Sequence, residues 1–245
     1  MIPIQTATRV GDITVPGRYC LPQGKGPFPS VIVIHGSDGY KFNHLKIAEK
    51  LAGQGMAAFV PTWFGYHETR AHWNHLQPED IPAAISDFQQ RANADKNRTA
   101  FLGVSRGGGL ALYYGSQTPG TKAIVNYFGL TAWEAGLAEL PHLPLNADDH
   151  LDFVRDIACP VISFHGDADN VVPVTNTYLL DEACRRYGVE HEFVIYPGIN
   201  HSFIWDDSDN EKYDKAAHRD SWERATNFLK QQLFQTSGSG CEARS

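Results

Sequence analysis

No run of about eighteen apolar residues occurs, so the sequence has no segment of the length a bilayer-spanning helix needs. The first fifteen residues, MIPIQTATRVGDITV, lack a charged leader followed by an apolar stretch, and so lack the pattern of a secretory signal. Cysteine is scarce. Cys20, Cys159, Cys184 and Cys241 never fall at CxxC spacing, which argues against a zinc ribbon or a disulfide scaffold and suits a reducing, cytoplasmic setting. Basic residues are outnumbered, 21 against 28, for a net charge of −7. Without a concentrated basic surface, nucleic acid is not an expected partner, and nothing points to a membrane. There is no internal repeat and no interdomain linker. What is present is 245 residues, 42% hydrophobic and 11% aromatic, enough for one sizeable core. One domain is expected over 1–234. The small, polar stretch 235–245, QTSGSGCEARS, reads as a flexible tail.

Short apolar runs alternate with stretches of helical period. Val31–Ile34 is a continuous β-branched run, the pattern of a strand buried on both faces. Met56–Val60, Thr99–Leu102, Ala123–Phe128, Val161–Phe164 and Glu192–Tyr196 are further strands. Helices fall at Leu45–Ala52, at Asp80–Ala92 with Pro82 in the first turn, at Gly107–Tyr114, near Val174–Tyr187, and at about Lys212–Leu233. Strand and helix in alternation predict an α/β fold: a mostly parallel central sheet with helices on both faces. The first 28 residues, punctuated by Gly11, Pro16 and Gly17, read as an antiparallel edge hairpin. Residues 62–78 read as a long loop.

Gly103-Val104-Ser105-Arg106-Gly107 follows a strand and opens a helix, the context of a G-x-S-x-G nucleophile elbow. Such a turn lifts the serine above the carboxyl edge of the sheet, with the positive end of the helix dipole where an oxyanion would form. Serine needs a base to be nucleophilic near neutral pH, and the base needs a carboxylate to set its tautomer. Both occur after later strands. His165-Gly166-Asp167-Ala168-Asp169-Asn170-Val171-Val172-Pro173 offers two aspartates, and Tyr196-Pro197-Gly198-Ile199-Asn200-His201-Ser202-Phe203 offers His201. Sites in α/β sheets form at these carboxyl ends. The chain order, serine then aspartate then histidine, is that of α/β-hydrolases.

These residues, with the strand ending His35-Gly36-Ser37-Asp38-Gly39, resemble the dienelactone hydrolase family of α/β-hydrolases over about residues 28–233. The resemblance implies an α/β-hydrolase fold with no large cap domain. It implies Asp169 as the acid, with Asp167 as the rival, a carboxylate suited to capping loop amides. The amide of Arg106, the residue after the nucleophile, is one oxyanion donor. By resemblance the second is the amide of Ser37, and His35 shapes that loop. The family's namesakes have a cysteine nucleophile and a glutamate just before the second donor. This chain has Ser105 and Gly36 there. A thiol can be held in reserve by a nearby carboxylate, and a serine does not need that device. The expected activity is therefore a serine carboxylesterase acting on a small ester or lactone through an acyl-enzyme. Alternatives are a thioesterase or small-peptide hydrolase with the same three residues, or a non-catalytic binding module on the fold.

The aromatic loop after the second strand offers Trp63 and Phe64 as walls of a substrate pocket and Arg70 as a partner for a substrate carboxylate. His67, His72 and His75 do not match HExxH, since His-Glu-Thr-Arg-Ala-His is one residue too long, so no metal is expected. The run 206–211 lacks the glycine and distal glutamate of an EF-hand loop. Gly107-Gly108-Gly109 lacks dinucleotide spacing, and no cofactor is expected. Oligomeric state is not encoded in any of these patterns.

Overall fold

The computed structural model describes residues 3–66, 69–131, 151–206 and 211–234. The expected tail at 235–245, His67 and part of the acidic run at 206–211 lie outside the described residues. Strands β1 (Ile4–Val10) and β2 (Ile13–Cys20) pair antiparallel as the edge hairpin, and β2 continues antiparallel onto β4 (Ala57–Pro61). Strands β3 (Phe28–Ile34), β4, β5 (Ala94–Val104), β6 (Thr121–Tyr127), β7 (Val161–Gly166) and β8 (His191–Tyr196) run parallel. The sheet order is β1-β2-β4-β3-β5-β6-β7-β8.

Helices cover both faces. Along β3, Val31 and Val33 point to one face and Ile32 and Ile34 to the other, all of them sealed from solvent. The valine face packs on α1 (Phe42–Ala52) and α5 (Lys215–Phe234) through Leu45, Leu51, Ala225 and Leu229. The isoleucine face packs on α2 (Asp80–Arg91), α3 (Arg106–Gln117) and α4 (Thr175–Tyr187) through Ile85, Phe88, Leu112 and Leu180. Each such side chain contributes about 1.5–3 kcal/mol on burial, so the continuous apolar run in β3 is what holds the two layers to the sheet.

Several boundaries differ from the sequence pattern. β5 begins at Ala94 rather than Thr99, since Phe28 pairs with Ala94 although residues 95–98 are polar. Backbone pairing leaves no trace in side-chain periodicity. The last helix begins at Lys215 rather than Lys212 because the Asp214 carboxylate accepts the Ala217 N–H at 2.8 Å, an N-terminal cap. The long loop contains one 3₁₀ turn, Trp73–His75, where the His72 ring accepts the Asn74 N–H. Cys20, Cys159 and Cys184 are buried free thiols. Among the described residues no helix is long and apolar enough to cross a membrane.

Candidate active site

The chain leaves β3 through α1 for β4 on one side, while β5 lies on β3's other side. The order of strands reverses there, and in open sheets of this kind sites form outside the carboxyl ends of the two strands flanking the switch, here β3 and β5. Ser37 follows β3 and Ser105 follows β5, so the switch point brings two distant segments to one edge.

Ser105 sits at φ 54°, ψ −126°, a conformation that costs a non-glycine residue about 1–3 kcal/mol. The strain is held from both sides. Its N–H donates to the Tyr127 carbonyl at 3.0 Å, and its own carbonyl accepts from Gly108 at 2.8 Å and Leu130 at 3.0 Å. The turn is too tight for side chains at its ends. A Cβ at Gly103 would lie 2.1 Å from the Gly107 carbonyl oxygen, and one at Gly107 would lie 2.3 Å from that of Ile34.

His201 is buried on the turn after β8, its ring 4.6 Å from that of Phe128. Its Nδ1 lies 2.6 Å from Asp169 Oδ2, and its Nε2 lies 3.2 Å from Ser105 Oγ. A carboxylate can only accept, so Nδ1 carries the proton and Nε2 is left to take the serine hydroxyl's. The Asp169 carboxylate is fully enclosed. Its Oδ1 accepts the N–H groups of Val171 at 2.9 Å and Val172 at 2.8 Å. Burial alone would raise its pKa, but the hydrogen bonds from His165 and His201 outweigh it and hold the carboxyl well below the usual range. Asp167 faces elsewhere. Its Oδ1 accepts the Gly198 N–H at 2.6 Å, the amide-capping arrangement expected of the rival acid.

His165, to which no sequence motif assigns a role, is the residue behind Asp169. Its Nε2 is 3.2 Å from Asp169 Oδ2 and 2.9 Å from the Val172 carbonyl, and its Nδ1 is 2.7 Å from Thr177 Oγ. Facing two acceptors, Nε2 must carry the proton, and the Thr177 hydroxyl supplies the donor for Nδ1. The only sequence signal was its place in the His-Gly-x-x-Asp run. The glycine of that run has its own reason: a Cβ at Gly166 would lie 2.0 Å from the Ile199 carbonyl oxygen, on the loop that carries His201.

The loop after β3 reaches Ser105 closely. A Cβ at Gly36 would lie 3.1 Å from Ser105 Cβ, so a longer side chain there would crowd the nucleophile position. His35 is wholly buried, stacked on Trp63 with ring centroids 5.1 Å apart, its Nδ1 3.0 Å from the Gly36 carbonyl. That is a loop-shaping position, away from the Ser105–His201 bond. Arg106 offers more than its amide. Its Nε donates to Ser37 Oγ at 2.5 Å and its guanidinium lies 3.7 Å over the Trp73 ring, with burial pulling its pKa down to about 10. The side chains of the two expected oxyanion donors are thereby tied together.

The expected pocket residues divide. Trp63 and Phe64 do meet, ring centroids 4.7 Å apart, but Trp63 is almost wholly enclosed against His35 and so forms part of the core. Arg70 does not stand ready for a substrate carboxylate. Its Nε and Nη2 reach the fully buried Asp80 carboxylate at 3.2 and 3.4 Å, because an ion enclosed at that depth needs a counter-charge. Trp73 and Arg106, rather than Arg70, bring an aromatic face and a cation beside the elbow.

A model of the dienelactone hydrolase family matches residues 15–233. The chain belongs to the dienelactone hydrolase family. As a member it is a hydrolase of the carboxylic-ester class. A protein of Methylorubrum extorquens named "Putative carboxymethylenebutenolidase" is 25% identical over 235 residues, covering 90% of this chain and 78% of its own. Among solved structures, one described as a "Putative Dienelactone Hydrolase" from Klebsiella pneumoniae has a TM-score of 0.78 at 22% identity, covering 94% of this chain and 98% of that one. A thermophilic esterase from Thermogutta terrifontis has a TM-score of 0.72 at 19% identity, covering 97% and 95%. At these identities the two structures speak for the shared fold, an α/β-hydrolase domain of like size with no added cap.

Proposed function

We propose that this member of the family is a serine carboxylesterase that cleaves small, neutral esters or lactones through an acyl-enzyme. The observation that carries the reading is the continuous hydrogen-bonded chain from Ser105 Oγ through His201 to Asp169, 3.2 and 2.6 Å, built on a strained elbow. Ser105 Oγ attacks the carbonyl carbon while its proton passes to His201 Nε2, and Asp169 stabilises the imidazolium that forms. The tetrahedral oxyanion is stabilised by the amides of Ser37 and Arg106. Collapse breaks the bond to the alcohol oxygen, which takes the proton from His201. Water then repeats the sequence on the acyl-Ser105 ester and releases the acid.

Three features favour neutral substrates. Gly36 brings no carboxylate of its own beside Ser105, the Asp38 carboxylate near it is paired with Lys41, and the nearby Arg106 cation is engaged with Ser37 and Trp73. Short acyl chains of about two to six carbons are expected, each methylene that finds an apolar wall adding roughly 0.8 kcal/mol. The scattered buried thiols suit a reducing, cytoplasmic setting.

A fluorophosphonate probe should label the protein at Ser105, and Ser105→Ala should lose both labelling and turnover of p-nitrophenyl acetate, by about 10⁴–10⁶ in kcat. Activity of Ser105→Ala within tenfold of the parent would sink the assignment. Comparing kcat/KM for acetate, butyrate, octanoate and palmitate esters and for a dienelactone tests the substrate class. A preference for palmitate or for the dienelactone would overturn it.

A further inference from the structure

Arg106 is the first residue of α3, so its side chain leaves the chain at the positive end of a helix dipole, and the residue is nonetheless almost wholly enclosed. A cation in that position is costly. Two contacts from separate loops accompany it. The Arg106 Nε donates to Ser37 Oγ in the loop after β3, and the guanidinium carbon lies 3.7 Å from the centroid of the Trp73 ring in the 62–78 loop. A cation stacked on an indole away from water makes one of the stronger contacts of this type. The two loops differ in how they are held. Ser37 is exposed, on a short turn closed by the Gly39 N–H on the Gly36 carbonyl at 3.2 Å. Trp73 stands on a segment pinned near both ends by one enclosed carboxylate. Asp80 accepts from Arg70 Nε at 3.2 Å and from the Gln77 N–H at 2.8 Å, and Leu76 between them is completely buried. The anchored side is that of Trp73, and the exposed turn of Ser37 is the side that gains from being held.

An oxyanion donor works only at about 2.7–3.1 Å from the oxygen it serves, so both amides of the hole must be aimed. The Arg106 amide is aimed by α3, whose first turn it opens. The Ser37 amide rides on the exposed turn. We infer that the Arg106 side chain is a positioning residue: stacked on Trp73, it holds the Ser37 turn so that the Ser37 amide points at the oxyanion. The inference rests on the proposed role of Ser105 as nucleophile. Arg106 then has two separable tasks, its backbone N–H serving the oxyanion and its side chain aiming the other donor. The 62–78 loop acts on catalysis through that side chain, although its tryptophan need not touch the substrate. An oxyanion hole is complementary to the tetrahedral oxygen rather than to the ground-state carbonyl. Loosening the Ser37 turn should therefore lower kcat and leave KM nearly unchanged.

The test is a double-mutant cycle on the full chain: Ser37→Ala, Arg106→Met and the two combined, all of which keep both backbone amides. Steady-state turnover of p-nitrophenyl acetate is measured together with inhibition by butylboronic acid, which bonds to Ser105 Oγ and sets a tetrahedral oxygen in the hole. Each single variant should lose about 10- to 100-fold in kcat, the scale of a displacement of about 1 Å, with KM within threefold of the parent. Boronate inhibition should weaken by the same factor as kcat. The double variant should lose no more than the worse single. Trp73→Ala should lose at least tenfold in kcat, and Trp73→Phe should recover most of it. Should Arg106→Met not fold by circular dichroism, Arg106→Lys carries the comparison, since an ammonium keeps the charge but not the planar stack or the Nε donor. Losses that multiply in the double variant would overturn the inference. So would a raised KM at unchanged kcat, unaltered boronate inhibition, or variants that all turn over at the parent rate. A parent chain that neither cleaves the ester nor takes a fluorophosphonate label fails differently: it sinks the role of Ser105, and the positioning role with it.

Discussion

Asp167 and Asp169 are two residues apart, chemically identical, and have different surroundings. Asp169 bonds to His201 and is enclosed, whereas Asp167 caps the Gly198 amide in an exposed turn. Asp169→Asn should lower kcat by about 10⁴, because an amide cannot hold His201 in the tautomer that leaves Nε2 basic. Asp167→Asn should cost only a small factor. The reverse order in a steady-state assay would move the acid to Asp167. His165 tests a finer point. Its Nε2–H lowers the basicity of the Asp169 carboxylate. Without that donor, one of the hydrogen bonds that fix the Asp169 carboxylate against His201 Nδ1 is lost. His165→Ala should therefore lower kcat about tenfold with KM little changed, and His165→Gln should restore part of the loss. An unchanged kcat would reduce His165 to a space-filling role.

Elements meet at the site through close backbone approaches, and these were legible only in part. The G-x-S-x-G and His-Gly-x-x-Asp runs showed where glycines stand, but not what they approach. At Gly166 the answer is the His201 loop, within 2.0 Å of a Cβ. Gly166→Ala must push that loop outward. A displacement of about 1 Å can cost 10²-fold, so kcat should fall by about 100-fold or more even where circular dichroism shows a folded chain. Turnover within threefold of the parent would mean that the loop tolerates the shift without losing the His201–Ser105 contact. The inner strands of the parallel sheet were legible because they are buried on both faces and read as apolar runs. The first half of β5 was not, since residues 95–98 are polar and only Ala94 of this stretch pairs with β3 before the register shifts.

Across the whole molecule, two enclosed histidines couple folding to pH. Burial, and then the charge of His44, drive the His35 pKa down to about 3. Burial likewise drives His44 to about 4, against the pull of Asp38. Both are lowered relative to an unfolded value of about 6.5, so below that pH the unfolded chain binds protons that the folded chain refuses. Their contribution is fully present above about pH 6.5 and is lost as pH falls toward 4 and then 3. The slope is up to about 1.4 kcal/mol per pH unit for each histidine. The urea midpoint should fall steeply between pH 6.5 and 4.5, and His35→Asn should flatten that slope whatever it does to stability at pH 7. A parent midpoint independent of pH across this window would contradict the burial of both rings.

What the sequence determined by itself was the alternation of elements, the elbow, and the order serine, aspartate, histidine. Each is a local pattern: hydrophobic period, turn residues, spacing along one strand and its loop. The tertiary structure decided which groups face one another. It turned Arg70 to the buried Asp80, laid Arg106 over Trp73, and set His165 behind Asp169. These pairings join residues from different elements or turn on side-chain direction. A buried charge takes the nearest partner of opposite sign, and a strand's twist and register, rather than its composition, decide which partner is nearest.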